Sequence, residues 1–259
     1  MAHSITQQRD GFTATVLLDN PDKLNALNLA SWHELARVMT ELSEDESVRC
    51  VIIRGAGDRA FCAGADISEL PTKRGNAASA RQYGAATDAA IEAIAGCRHP
   101  TVAAVQGPCT GGGLEIACAC DIRIASSSAR FGIPINRLGH VLAPLEMKLV
   151  LAAAGPQLLL EMLLEARIID AEEALRRGLA GRVVPDGDLD ATVAAAANRI
   201  AEGAPLSNRT TKTFLRRLSN PEPLSEAEMD EANTICDSDD YAEGLRAFLA
   251  KEKPVFEGK

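Results

Sequence analysis

Along the chain, short apolar runs alternate with stretches of helical period. Asp10-Gly11 separates two alternating runs, and the second, Thr13 to Leu18, completes a predicted hairpin. Asn20-Pro21-Asp22-Lys23 reads as a turn. Asn28 is placed to cap a helix from Leu29 to Leu42, whose Leu29, Trp32, Leu35, Val38/Met39 and Leu42 recur on one face. Trp32 therefore belongs to the core rather than to a stacking platform. Val48 to Arg54 and Thr101 to Gln106 read as buried strands, and Asp121 to Ala125 and Arg182 to Val184 as further strands. Helices are expected over Ser79 to Cys97, from Gly111 or Gly112, from Pro144 to Ala154, from Gln157 to Leu164 and over Ala171 to Arg177. The polar segment Pro71 to Ala80 suits a mobile loop over a site. Beyond Asp188 the pattern is mainly helical. Strands alternating with helices argue for an α/β fold. The expected division is a main body over 1–199 and a helical C-terminal region over 200–259.

Composition narrows the class. Apolar residues make 46% of the 259 and aromatic residues 3%, so aliphatic side chains fill the core. The net charge of −9 disfavours a general nucleic-acid surface but leaves room for an anionic ligand held by local cations and helix ends. The seven cysteines have no paired CxxC spacing and read as reduced thiols, most of them small buried hydrophobes. The first residues lack a signal-peptide pattern, and no long unbroken apolar stretch is evident. A cytoplasmic protein without stable membrane insertion is expected.

The chemistry concentrates in two glycine-centred segments, Phe61-Cys62-Ala63-Gly64-Ala65-Asp66-Ile67 and Gly111-Gly112-Gly113-Leu114-Glu115, each following a predicted strand. Neither is a nucleotide fingerprint, because the chain has no GxGxxG at its first strand and no GxxxxGK[ST]. Glycines there permit close ligand approach and leave amides free at a helix start, where they can stabilise a developing oxyanion. A tight structural turn is the other reading. Glu115 is either an acid–base group or a helix-surface acid.

Further segments carry a resemblance: Asn20 to Leu27, Ala60 to Ile67, Pro100 to Gly107, Gly111 to Glu115, Asp121 to Ser126, Phe131-Gly132-Ile133-Pro134, Ser238 to Gly244 and Lys251 to Phe256. Over nearly its whole length the chain resembles the enoyl-CoA hydratase/isomerase family, the crotonase superfamily. The resemblance implies an α/β, crotonase-like spiral of repeated ββα units with a helical C-terminal trimerisation region, trimers often pairing into hexamers. It implies an acyl-CoA substrate with no separate cofactor, the coenzyme A being the thioester part of that substrate. It assigns the oxyanion hole to the N–H groups of Ala65 and Gly112, and an active-site role to Glu115. Backbone around Leu24, Ala26, Ala63 and Ile67 would hold the coenzyme A arm. Asp66 would receive its adenine amine or cap a helix. Lys253 would approach a phosphate across a subunit boundary, or remain a solvated tail lysine.

One element of the family pattern is missing. Hydratases of this family place a second acid after Phe-Gly-x-Pro, and here Ile135 stands there. Isoleucine can neither take a proton nor hold water. Glu146 and His140 are the candidate substitutes, each with an ordinary alternative as a first-turn helix acid or a loop contact. The four histidines form no HExxH or other metal spacing. Ser126-Ser127-Ser128 reads as a turn, Arg216-Arg217 as a helix face, and Tyr83 as a packed ring or an oriented hydroxyl. The expected reaction is hydration of a trans-2-enoyl-CoA to a 3-hydroxyacyl-CoA. Isomerisation, hydrolysis or decarboxylation of a CoA ester, or binding without turnover, are the alternatives.

Overall fold

The computed structural model describes residues 4–259; His3 and the rest of the start of the chain lie outside the described residues. The strands are β1 (Ser4–Asp10), β2 (Thr13–Asp19), β3 (Cys50–Gly55), β4 (Thr101–Val105), β5 (Pro108–Thr110), β6 (Ile122–Ser126), β7 (Arg130–Gly132), β8 (Ile168–Asp170) and β9 (Arg182–Val184). The helices are α1 (Leu29–Glu44), α2 (Leu70–Lys73), α3 (Ala77–Gly96), α4 (Gly112–Ala119), α5 (Pro144–Leu164), α6 (Ala171–Arg176), α7 (Leu189–Glu202), α8 (Pro205–Leu218), α9 (Glu226–Thr234) and α10 (Asp239–Ala250). A six-stranded sheet runs β1-β2-β3-β4-β6-β9, and a three-stranded one runs β5-β7-β8. After the antiparallel β1–β2 hairpin, every neighbouring pair in the larger sheet is parallel. The spiral is visible where β4 hands on to β5 and then α4, and where β6 hands on to β7. In both turns a large-sheet strand is followed by one in the small sheet.

Central strands are apolar on both faces because both are covered. Val51, Ile53, Ala103 and Val105 face the large core with α1 and α3, among Trp32, Leu35, Ile91 and Leu114. The alternate residues Cys50, Ile52, Val102 and Ala104 face α7 through Val193, Ala196 and Ala197. Asn28 caps α1 by accepting the Ser31 N–H at 2.8 Å. The expected loop at Pro71 to Ala80 is mostly ordered: α2 occupies its start, and Asn76 opens α3 by accepting the Ala78 and Ser79 N–H groups at 3.0 Å. That cap lies within the sequence, but its Asn-Ala-Ala-Ser setting reads equally as loop. The short strands β5, β7 and β8 carry only three residues each, too few for a period to register.

By length and composition alone, α5 would suffice to cross a membrane. Its backbone is interrupted, however: Gly155 takes φ 74° and ψ 164° ahead of Pro156, so two helical pieces lie end to end. This matches the break expected at Gly155-Pro156.

Beyond Gly203, helices α8 to α10 bury little in their own chain. Phe248 is 81% exposed and Leu249 73%, with Leu215, Leu218 and Met229 also open. One tie fixes α8 to the body. The Lys212 ammonium, its side chain 8% exposed, contacts Asp121 at 2.6 Å and the His99 carbonyl at 2.8 Å. Asp121 in turn accepts the Thr101 N–H at 2.7 Å at the foot of β4. Asp121→Ala therefore strands a buried cation and is expected to cost about 3 kcal/mol, less than a fully buried pair because Asp121 is partly exposed. Chemical denaturation of the variant and the parent checks this, and an unchanged midpoint would refute it.

Candidate active site

The site is built by two backbone approaches. The first is the Asn20 to Leu27 loop. Leu24 and Asn25 both sit at positive φ, 52° and 59°. The strain is held by side-chain amides: Asn20 Nδ2 donates to the Ala26 carbonyl at 2.7 Å, and Asn25 Nδ2 donates to the Ala60 carbonyl at 2.8 Å. The Leu24 carbonyl then accepts the Ala63 N–H at 2.9 Å, so the loop lies alongside Ala60 to Ile67. Leu27 continues the pairing, donating to the Gly64 carbonyl at 2.8 Å and accepting the Asp66 N–H at 2.8 Å. In such a parallel bridge the intervening residue's own groups point the other way. The N–H of Ala65 consequently has no protein acceptor among the described residues.

The second approach is the start of α4. Gly112 is its first residue, and its N–H is one of the orphan donors of any helix start. Close packing here demands glycine. A Cβ on Gly113 would lie 2.1 Å from the Cys62 carbonyl oxygen, and one on Gly64 would lie 3.0 Å from the Gly112 nitrogen. The strand-like bridge between Cys62 and Cys109 draws the two segments together. Trp32 is fully buried, as its helical spacing implies, and also backs this contact: a Gly112 Cβ would meet its ring at 2.9 Å.

Both free N–H groups belong to residues lining one cavity of about 780 Å³, open mouth included. Its lining also holds Ala63, Ile67, Glu115, Ile133, Ile135, His140 and Glu146. Glu115 comes from the first turn of α4 and Glu146 from the first turn of α5; they are 4% and 8% exposed. The Glu115 carboxyl makes no hydrogen bond to protein among the described residues. The N–H of Ala143 donates to Glu146 Oε2 at 3.1 Å. Burial raises the Glu115 carboxyl well above the ordinary carboxylate range, and the charge of Glu146 adds to the rise while Arg74 opposes it. Burial also raises Glu146, against the pull of the Ala143 N–H and Arg74. Two acids crowded into an apolar pocket keep their protons to higher pH than exposed acids would.

The other expected residues fall as follows. Leu24, Ala26 and Asp66 do not line the cavity, while Ile67 does and is 60% exposed. Asp66 accepts the Ser68 N–H at 3.0 Å as a helix cap and pairs with Lys23 Nζ at 2.6 Å. Burial works to raise the Asp66 carboxyl, but Lys23 and the Ser68 hydrogen bonds together outweigh it and hold the group below the usual carboxylate range. Lys253 does not join the cavity within one chain; it pairs with Glu202 at 2.6 Å beside Phe12 and Arg49. His140 reaches the cavity but is bonded to Arg74, Nη2 to Nε2 at 2.8 Å. Because arginine only donates, Nε2 accepts and the ring is neutral; burial and Arg74 both lower its pKa. Tyr83 is buried, with its hydroxyl pushed up to about 12 by burial and 3.5 Å from the Leu27 carbonyl, so it packs. Ser126 and Ser128 bond each other at 2.9 Å in a turn. Burial pushes the Cys62 thiol to about 12, in keeping with a structural role.

Arg74 was not singled out by the sequence reading. It stacks over the Tyr83 ring at 5.0 Å and lines the cavity beside both acids. Its only sequence signal is that it immediately precedes the Gly75-Asn76 helix start. Leu70, Thr87, Thr110 and Leu138 also line the cavity. Among the described residues no cluster of His, Cys, Asp and Glu could hold a metal ion.

Comparison with known proteins identifies the family. Residues 9–259 match the family described as enoyl-CoA hydratase/isomerase. A short-chain-enoyl-CoA hydratase of Clostridium acetobutylicum is 35% identical, over 97% of this chain and 96% of the relative. A crotonyl-CoA hydratase of Syntrophomonas wolfei is 32% identical, over 99% and 98%. The crystal structure of an enoyl-CoA hydratase/carnithine racemase from Magnetospirillum magneticum superposes with a TM-score of 0.97 at 50% identity, covering 100% of this chain and 97% of that one. With the family matched from end to end and the fold shared, the chain belongs to the enoyl-CoA hydratase/isomerase family of the crotonase superfamily.

Proposed function

We propose that the protein hydrates a trans-2-enoyl-CoA to the 3-hydroxyacyl-CoA. The observation that carries this reading is the juxtaposition, on one cavity, of two unpartnered peptide N–H groups and the buried acid Glu115. The thioester oxygen would sit between the N–H groups of Ala65 and Gly112. As water adds at C3, negative charge moves onto that oxygen, and preorganised donors in a water-poor pocket lower the energy of the enolate. Glu115 would exchange a proton with water or with the substrate carbon. Enoyl-CoA hydratases among the similar proteins support the choice of reaction. Coenzyme A enters as part of the substrate. Its arm would run past Ala63 and Ile67, over the backbone of Leu24 and Ala26, with Asp66 near the adenine. Isomerisation, hydrolysis and decarboxylation draw on the same oxyanion hole, so the products of a panel of CoA esters, resolved by mass, decide among them.

The exposed apolar faces of α8 to α10 support assembly as a homotrimer, with pairing to a hexamer, through the region from residue 200 onward. Lys253 lies in that region, where a neighbouring subunit's substrate phosphate could meet it. A cytoplasmic location fits this reading.

Two outcomes are expected. In solution at micromolar concentration the protein should have the mass of a trimer or hexamer by light scattering; a stable monomer across a broad concentration range would reject assembly. Glu115→Gln should retain affinity for CoA esters and lose turnover by about 10²–10⁴, the usual worth of a positioned acid–base group. Steady-state kinetics on crotonyl-CoA checks this, and near-normal turnover would remove Glu115 from the mechanism.

A further inference from the structure

We infer that Glu146 is the second catalytic carboxylate of this site, binding and deprotonating the water that adds to C3, while Glu115 supplies the proton to C2. The inference rests on the hydratase reading above. It answers the question raised by Ile135, which lines the cavity together with Ile133 and makes that wall apolar. An acid has not been lost from the pocket; it arrives from a different element.

The local sequence explains why. Pro144 fixes the first residue of α5, and Ala143 before it has no side-chain oxygen with which to cap the helix. Glu146 folds back to accept the Ala143 N–H with Oε2. A glutamate serving only as a cap would sit in water, where its charge costs nothing. This one is 8% exposed and faces the cavity, with Oε1 free of protein partners among the described residues. Both acids lie in the first turn of a helix, but the anion of Glu146 has a backbone donor to stabilise it, whereas Glu115 has none among the described residues. Without a donor to hold its anion, Glu115 is the member of the pair that keeps a proton, and Glu146, held by the Ala143 N–H, is left as the base. The other charged groups around the pair are Arg74 after α2 and Asp88 on α3, with neutral His140 bonded to Arg74.

The step balances. Water's O–H bond breaks and its proton goes to Glu146 as the oxygen bonds C3. The C2–C3 π pair moves toward the thioester oxygen, held by the N–H groups of Ala65 and Gly112. The enolate collapses as C2 takes the proton from Glu115. Glu146 then returns its proton to Glu115 through the next water, and the net change is one water added.

The test uses the full-length protein and two variants, Glu146→Gln and Glu115→Gln, with two readouts. One is hydration of crotonyl-CoA. The other is exchange of the C2 hydrogens of butyryl-CoA in D2O, which needs the enolate but no addition of water. Glutamine at 146 keeps an oxygen for the Ala143 N–H, so a purely structural cap survives the substitution. The expected result is that Glu146→Gln loses hydration by about 10²–10⁴ yet keeps C2 exchange within a few-fold, whereas Glu115→Gln loses both. The parent's kcat/KM should fall at low pH as Glu146 takes a proton and at high pH as Glu115 gives one up, and Glu146→Gln should abolish the low-pH limb. Hydration by Glu146→Gln within threefold of the parent overturns the inference, as does joint loss of hydration and exchange in that variant. A parent that exchanges C2 hydrogens but hydrates no enoyl-CoA refutes the hydratase reading instead.

Discussion

Everything at the site depends on how closely two stretches of main chain can approach. Cys62-Ala63-Gly64 and Gly111-Gly112-Gly113 come together so closely that a Cβ on Gly113 would run into the Cys62 carbonyl and one on Gly64 would press on the Gly112 nitrogen. That closeness places two peptide N–H groups on one cavity without a side chain between them. The parallel pairing of β3 with β4 brings the two segments to the same edge of the sheet, and the Cys62–Cys109 bridge holds them in register. The Asn20 and Asn25 amides fasten a positive-φ loop behind them. Most of what lies between residues 20 and 115 can be read as scaffolding for this one approach.

The acids obey a different constraint. A carboxylate in an apolar pocket is costly unless it is paired, hydrogen-bonded or protonated. Glu115 has no donor, and its burial favours the protonated form. Glu146 has one backbone donor. Their environments differ in the direction that separates a proton donor from a proton acceptor, and Arg74 keeps net negative charge in the pocket from accumulating.

Much of this was legible in the sequence. The α1 stripe, the β3 and β4 runs and the Gly155-Pro156 break each follow from local period or turn chemistry, and the structure has them within a few residues. The glycine segments pointed to the cavity because glycine has a specific use where backbones meet. What escaped was set by tertiary context. The strands of the small sheet carry three residues each and no period, so that sheet was invisible, whereas the equally short β9 showed through its Arg-Val-Val run before Pro185. Arg74 joins the site only because α2 and α3 fold over it. Ile135 was readable as a missing acid, but no local pattern could separate Glu146 from any first-turn glutamate, because its burial comes from the packing of α5 over α4.

The N–H groups of Ala65 and Gly112 are main-chain atoms, and that fact bears on substitution. Among single-residue replacements, only proline deletes a peptide N–H. A side-chain exchange at Ala65 therefore leaves its donor in place, whereas a Cβ at Gly64 or Gly113 would push the two backbones apart and one at Gly112 would meet the Trp32 ring. The donors are set by the path of the backbone alone, whereas an acid can enter the same pocket from any element that lines it, as Glu146 does from α5 where the wall at Ile135 is apolar.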